Sequence, residues 1–266
     1  MEPPIDLTLA STTPAAVMSL CVTVGSKSVN GSIMIISGVS LNGVTVVAPE
    51  LPPPPAVYDL DAANYAAVPT TGSTIAGTGA HTITVANAGS ITYSSDNGGS
   101  WVKSNNVQAD TMYGGPNYAT GQSYTVFMAY KLSATSAGRI LNSQDETRNW
   151  LLGSFQGRPS AFYPGFSVNL PGGSTDTVWH LDWGTWNAAT NTGQIYTATN
   201  TAPTNYAFTA TNATGGGFIQ LRMFSRSGGT PTVQTGNIAF VKVYNSVLDL
   251  ATIQSLHATY KTRFGY

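Results

Sequence analysis

The chain has 266 residues, room for one large domain or a domain with an appendage at about 150 residues per domain. Charged residues make up 9% of it, with eleven basic against twelve acidic and a formal net charge of -1, whereas an average soluble protein carries about 25% charge. Without a basic cluster, a surface that tracks nucleic-acid phosphates is excluded; with Glu only at Glu2, Glu50 and Glu146, so is an all-helical protein.

Cys21 is the only cysteine, so no intrachain disulfide can form and stability has to come from packing or assembly. The opening Met1-Glu2-Pro3-Pro4-Ile5-Asp6 is acidic where a secretory signal is positive. The later apolar runs, Ile33 to Ile36 among them, are far short of the ~20 residues that cross a bilayer. The expectation is a chain made in the cytoplasm, with no membrane partner, that joins something larger.

Two Asn-Gly dipeptides, Asn30-Gly31 and Asn42-Gly43, sit between β-forming runs and predict tight hairpin turns, because both residues tolerate positive φ. The product is a three-stranded meander over residues 1 to 48, with strands Val17 to Val29, Ser32 to Leu41 and Val44 to Val47. Ile33, Met34, Ile35 and Ile36, together with Val44 and Val46, put apolar side chains on both sides of the pleat. So small a sheet cannot bury both faces alone. Two readings stand side by side: packing against the chain's own larger domain, or an anchoring and oligomerisation platform.

A proline-rich linker over residues 49 to 57 follows, in which Pro52 to Pro55 force an extended backbone without donors. From 58 to 266 strand-like runs alternate with Gly, Asn and Ser-Thr turns, the pattern of one β-sandwich closed by a helix. Along Thr177 to Trp183, Trp179, Leu181 and Trp183 share one face, predicted as core, and His180 and Asp182 the other, predicted as wetter. Tyr124 to Tyr130 and Phe218 to Phe224 read similarly, with Ile219, Leu221 and Met223 opposite Gln220 and Arg222. At the end the period lengthens. Asp249 is a predicted N-cap, Leu248 and Ile253 a hydrophobic staple, and Leu250, Ile253, His257, Tyr260 and Phe264 recur at helical spacing. Lys261 and Arg263 are placed to complement the helix dipole.

These stretches carry a resemblance. Tyr58 to Tyr65, then Ile91 to Ser100, the aromatic strand Tyr124 to Tyr130, Trp179-His180-Leu181 with Gly193 to Tyr196, and Gly236 to Asn245 running into the helix resemble, in order, the laminin-G-like, concanavalin A-like jelly-roll domains frequent in tailed-phage structural proteins. The resemblance covers about Tyr58 to Tyr266. It implies an all-β, concanavalin A-like (laminin-G-like) β-sandwich jelly roll with one short C-terminal helix, preceded here by the small β meander. Lectins, glucanases, adhesion modules and coat components share this sandwich, so the fold does not name the activity.

The enzyme branch of the fold sets two glutamates about an aspartate on one strand, with carboxyls about 5 Å apart, and no Glu-x-Asp-x-Glu pattern occurs. A Gly-x-Ser-x-Gly elbow is absent, Gly215-Gly216-Gly217 lacks the Lys-Ser/Thr of a phosphate loop, and His81, His180 and His257 lack zinc-motif spacing. No cofactor is expected. Asp96, Asp145 with Glu146, and Asp176 would make only a weak calcium site, and solvated turns explain them better. Sugar binding is the chemistry that survives. Trp186 and Asn187, with Tyr163 and Arg148, are the candidate glycan-binding residues, with Trp101 and Trp150 beside them; the competing reading makes Trp101 and Trp150 core.

Composition, layout and resemblance together predict a non-enzymatic virion structural protein of a tailed bacteriophage, exposed on the particle surface. A capsid decoration or head fibre is preferred to a tail fibre because no shaft repeats are present. The expected partners are phage capsid or tail proteins, further copies of the chain in a homo-oligomer such as a trimer, and a host surface glycan. The alternative is a free carbohydrate-binding, lectin-like module of a cell surface; a polysaccharide depolymerase is a third reading.

Overall fold

The structure is a computed structural model that describes residues 39–41, 44–46, 53–65, 69–77, 81–133, 138–165, 176–199, 201–209, 216–226 and 234–266. The chain separates into two compact units, Met1–Pro52 and Pro53–Tyr266. In the first, β1 (Val39–Leu41) and β2 (Val44–Val46) pair antiparallel, with Leu41 opposite Val44 and Val39 opposite Val46. That register is the one expected across Asn42-Gly43. The predicted strand Val17 to Val29 and the candidate anchors Ile33, Met34, Ile35 and Ile36 lie outside the described residues, while Val44 and Val46 both lie in β2.

The second unit is a β-sandwich jelly roll. Its strands begin with β3 (Tyr58–Asp61), β4 (Thr74–Ala76), β5 (Thr82–Asn87), β6 (Ile91–Ser94), β7 (Ser100–Lys103), β8 (Thr111–Tyr118) and β9 (Tyr124–Leu132). They continue with β10 (Leu141–Ser143), β11 (Trp150–Phe155), β12 (Arg158–Pro164), β13 (Trp179–Asn187), β14 (Thr192–Ala198), β15 (Thr204–Thr209), β16 (Phe218–Met223) and β17 (Gly236–Tyr244). Helix α1 (Leu250–Tyr260) follows. One sheet has seven strands in the order β12-β11-β10-β16-β8-β5-β4; the other has eight, ordered β15-β14-β13-β9-β17-β7-β6 with β3 also on β17. Every pairing is antiparallel.

Two cores result. Between the sheets, Val85, Met112, Met223, Leu141, Leu152 and Phe162 form one continuous cross-strand row, all buried against Val126, Met128 and Val241 of the facing sheet. On the outer side of the eight-stranded sheet, Phe127, Trp183, Phe240 and Leu181 pack beneath Ile253, Leu256 and Phe264 of the C-terminal segment. Phe127 and Trp183 stack there at 4.3 Å and 11°, a contact worth about 1 kcal/mol beyond area burial. The eight-stranded sheet is therefore helix-covered on its outer side, whereas no helix among the described residues lies over the outer side of the seven-stranded sheet.

This arrangement corrects the predicted wet face. His180 and Asp182 are interior, at 2% and 0% exposure, because both sides of β13 are covered. Strand β9 is buried along nearly its whole length for the same reason. A bulge between Ile219 and Leu221, with Gln220 at φ 48°, breaks the simple alternation in β16, so Phe218 joins Leu221 and Met223 inside while Ile219 is only half-buried.

Asp249 caps α1, accepting from Thr252 N at 2.8 Å, and Leu248 and Ile253 are both buried beside it. Leu250, expected on the apolar stripe, is 44% exposed; Leu256 takes a buried place instead. Arg263 departs from its dipole assignment. Its guanidinium reaches Asp61 Oδ2 at 2.7 Å, Asn97 O at 2.7 Å and Gly99 O at 2.9 Å, tying the end of the chain to β3 and the turn before β7.

Lys103 ties a loop in the same way. Its buried ammonium donates to Val107 O at 2.6 Å and Asp110 O at 2.5 Å, while the Asp110 carboxylate accepts from Asn87 Nδ2 at 3.0 Å and from Ser90 N and Oγ at 2.8 Å. Burial lowers the Lys103 amine to about 8 from an ordinary 10.5, against the opposing pull of Asp110. Between those values the unfolded chain holds a proton that the folded one has released, so this group favours folding more as pH rises from about 8 to 10.5. The stability of the wild type minus that of Lys103→Met, from denaturant titrations, is expected to be flat below pH 8 and to climb above it by at most about 1.4 kcal/mol per pH unit. A flat difference across the whole range would contradict the assignment.

Candidate functional site

Antiparallel register sets one row of side chains across the outer face of the seven-stranded sheet. Thr74, Thr84, Tyr113, Arg222, Asn142, Leu151 and Tyr163 stand opposite one another, one from each strand. At about 4.8 Å per strand, Tyr163 and Tyr113 are some 19 Å apart along it. Tyr113, Arg222 and Tyr163 are half-buried, with Leu151 and Asn142 buried between them. Arg222 is held flat: its Nη1 donates to Gln144 Oε1 at 3.2 Å and its Nε to Ser225 Oγ at 3.2 Å.

At the β11–β12 edge the row widens into an aromatic–arginine cluster. Gln156 and Gly157 turn the chain with φ of 51° and 76°, the left-handed pair that a two-residue hairpin needs, and so place Phe155 opposite Arg158. The Phe155 ring meets Tyr163 edge-on at 5.1 Å, and the guanidinium carbon of Arg139 lies 4.6 Å above the Phe155 centroid. Burial pushes the Tyr163 hydroxyl up, while the charges of Arg139 and Arg158 pull it back. Rigid ring faces with planar donors at their rims suit a ligand that is apolar on its flat side and hydroxylated at its edge.

Of the sequence candidates only Tyr163 belongs to this cluster. Trp186 is 0% exposed in the intersheet core with its ring against Gly216, so it offers no face to a sugar, and the glycan cluster expected around it does not form. Asn187 is spent on its own turn, accepting from Ala189 N at 3.0 Å and Thr190 N at 3.4 Å. Arg148 lies at the opposite end of β11, its Nε 3.7 Å from Asp145 Oδ2. Trp101 and Trp150 are core. Sequence reasoning missed Phe155 and Arg139: a hairpin at Phe155-Gln156-Gly157-Arg158 pairs Phe155 with Arg158, five residues from Tyr163, so simple alternation gives no reason to bring the two rings together, and the register shift between Gly153 and Phe155 has no sequence signal.

A second polar cluster is internal. Asp182 accepts from Tyr130 Oη and Ser160 Oγ, both at 3.0 Å, and burial raises its carboxyl against the opposing influence of His180. His180 stacks on Tyr130 at 5.2 Å and places Nε2 2.7 Å from Asp176 Oδ1. Ser160 bonds Asp182 and Thr197, not His180, so the hydroxyl-to-imidazole contact that activates a nucleophile is not made. The cluster reads as a structural network between sheets.

The acidic positions considered for calcium are dispersed. Asp145 accepts from Thr147 N and Oγ1 within its own turn, which lowers its carboxyl, and Asp176 faces His180. Asp96 opens a separate 3-10 turn. Among the described residues no three His, Cys, Asp or Glu side chains come together.

No family model and no curated protein matches the sequence. Solved structures match in fold. A Trypanosoma rangeli sialidase, solved as a covalent intermediate with 2,3-difluorosialic acid, is 15% identical with TM-score 0.56, over 88% of this chain and 37% of its own. The binding domain of botulinum neurotoxin serotype G gives TM-score 0.52 at 11% identity, over 77% of this chain and 51% of that one. Domain 4 of AbnA, an extracellular arabinanase of Geobacillus stearothermophilus solved with arabinotriose, gives TM-score 0.51 at 17% identity, over 76% of this chain and 97% of the domain. The chain thus spans about half of the toxin domain and about a third of the sialidase, but nearly all of domain 4. At such identities the shared β-sandwich is what these likenesses establish.

The two tryptophan and phenylalanine positions separate by stability. Trp186→Ala is expected to cost about 3–5 kcal/mol, as for a large core side chain, and Phe155→Ala about 1 kcal/mol, read from chemical denaturation. Equal costs would return Trp186 to the list of surface candidates.

Proposed function

We propose that the second unit is a non-catalytic glycan-binding module that takes sugar on the outer face of its seven-stranded sheet, with the Phe155–Tyr163 pair as the platform. The observation that carries this reading is the placement of two half-buried rings and a guanidinium on the outer side of the seven-stranded sheet, over which no helix of the described residues lies. Sugar rings have one apolar side and a rim of hydroxyls, and this surface pairs an apolar patch with fixed donors at Arg222 and Arg139. Support comes also from the neighbour that this chain spans almost whole, an arabinanase domain solved with arabinotriose, and from a toxin binding domain of the same fold. A glycan array is expected to show selective binding that Phe155→Ala and Tyr163→Ala each weaken about tenfold or more, with Asn187→Ala, whose side chain caps a distant turn, as the control. Release of sugar from a bound polysaccharide, or binding indifferent to both ring substitutions, would overturn the reading.

The setting proposed for this module is the surface of a tailed-phage particle, as a head decoration or head fibre, on the strength of the family resemblance and the division of the chain at Pro52 and Pro53. In that setting the first unit attaches and the sandwich contacts the host. Removing residues 1 to 52 is expected to abolish sedimentation with particles while leaving the sandwich's unfolding transition in place. Retained attachment would reject the anchoring role, and binding to tails alone would reject the head.

A further inference from the structure

The chain spreads few charges, yet its arginines are not spread. Five of the six, Arg139, Arg148, Arg158, Arg222 and Arg226, fall in residues 138–165 and 216–226, where the acids are Asp145 and Glu146, a balance of +3 in a chain whose net charge is -1. The sixth, Arg263, is consumed in the clamp on Asp61. Both acids lie in the turn that also carries Arg148. The remaining four cations belong to the strands and strand ends beside the aromatic pair.

Arg139 is the telling member. It is 5% exposed, and its Nε has no hydrogen-bond partner among the described residues. Burying a guanidinium with a donor unmet is costly. Burial first and the charge of Arg226 second pull its cation down from the usual range, so a second cation stands near enough to act on the guanidinium that lies over Phe155. Arg158, at the start of the strand that carries Tyr163, acts on the same hydroxyl. An oxyanion entering between these groups would meet the unmet donor and relieve the repulsion, and the guanidinium fork matches a carboxylate or sulfate in two parallel bonds.

We infer that the glycan taken by this face is acidic, and that Arg139 and Arg226, with Arg158 at the rim, form the subsite for its carboxylate or sulfate group. This rests on the glycan-binding reading above. It adds that the sugar ring lies on Phe155 and Tyr163 and that its charged substituent points toward the β10 and β16 ends of the cluster.

The test is a set of calorimetric titrations of the full chain with three oligosaccharides of equal length: neutral, uronate-bearing and sulfated. At least one acidic ligand is expected to bind about tenfold or more tightly than the neutral one, with the advantage shrinking as salt is raised. Comparison of the two acidic arms tells carboxylate from sulfate. Arg226→Gln, at a half-buried position, and Arg139→Gln are each expected to remove most of that advantage, and thermal melts check that both variants fold. Should Arg139→Gln fail to fold, Arg226→Gln alone decides. Neutral and acidic ligands bound equally, or an acidic advantage untouched by Arg226→Gln in folded protein, would overturn the inference and leave the glycan-binding reading standing. No binding of any of the three would overturn both.

Discussion

The stacking of Trp183 on Phe127 under the C-terminal segment decides which parts of this molecule can meet a partner. Central strands β9, β13 and β17 are flanked by apolar side chains on both sides, and the sandwich interior satisfies only one of them. The outer side needs its own cover, which α1 and Phe264 provide. With that side taken by the helix, the half-buried rings and arginines stand on the outer side of the other sheet, over which no helix of the described residues lies. The site is in this sense a remainder of the packing problem.

A chain with so little charge has to place each ionic group with purpose. Lys103 and Arg263 have their donors turned onto backbone carbonyls and join segments distant in sequence or cross a loop. Lys242 pairs with Asp59 at 2.5 Å across the β3–β17 contact. These groups act as fasteners. The arginines around Phe155 differ, since they crowd together with few acids nearby, and that contrast within one molecule gives the outer face of the seven-stranded sheet its chemical character.

Much of the fold was legible in the sequence, for local reasons. Asp249, with Leu248 and Ile253 around it, announces the helix start because a cap and a staple are short-range devices. The Thr177 to Trp183 run announces a strand by its period. The same period could not say what lay on each side. His180 and Asp182 alternate with tryptophans as surface residues would, yet both are buried: Tyr130 and Ser160 hold the Asp182 carboxylate from distant strands, while the His180 ring stacks on Tyr130 and bonds Asp176. Nor does alternation survive the bulge at Gln220. The site was half legible: Tyr163 was found by residue type, Trp186 misled because an aromatic next to a loop looks the same whether it points out or in, and Arg139 gave no signal because its meaning comes from a ring sixteen residues away.

The two ends of the sandwich share one neighbourhood. Ala56, near its beginning, and Tyr266, at its end, both pack against the core beneath the helix, and Val57 bonds to Val243 while Tyr266 Oη donates to Trp179 O. The beginning and the end of the sandwich thus meet in one packing region, so a single apolar patch holds down both. Ends that lie so near each other lend themselves to permuting the unit's connections.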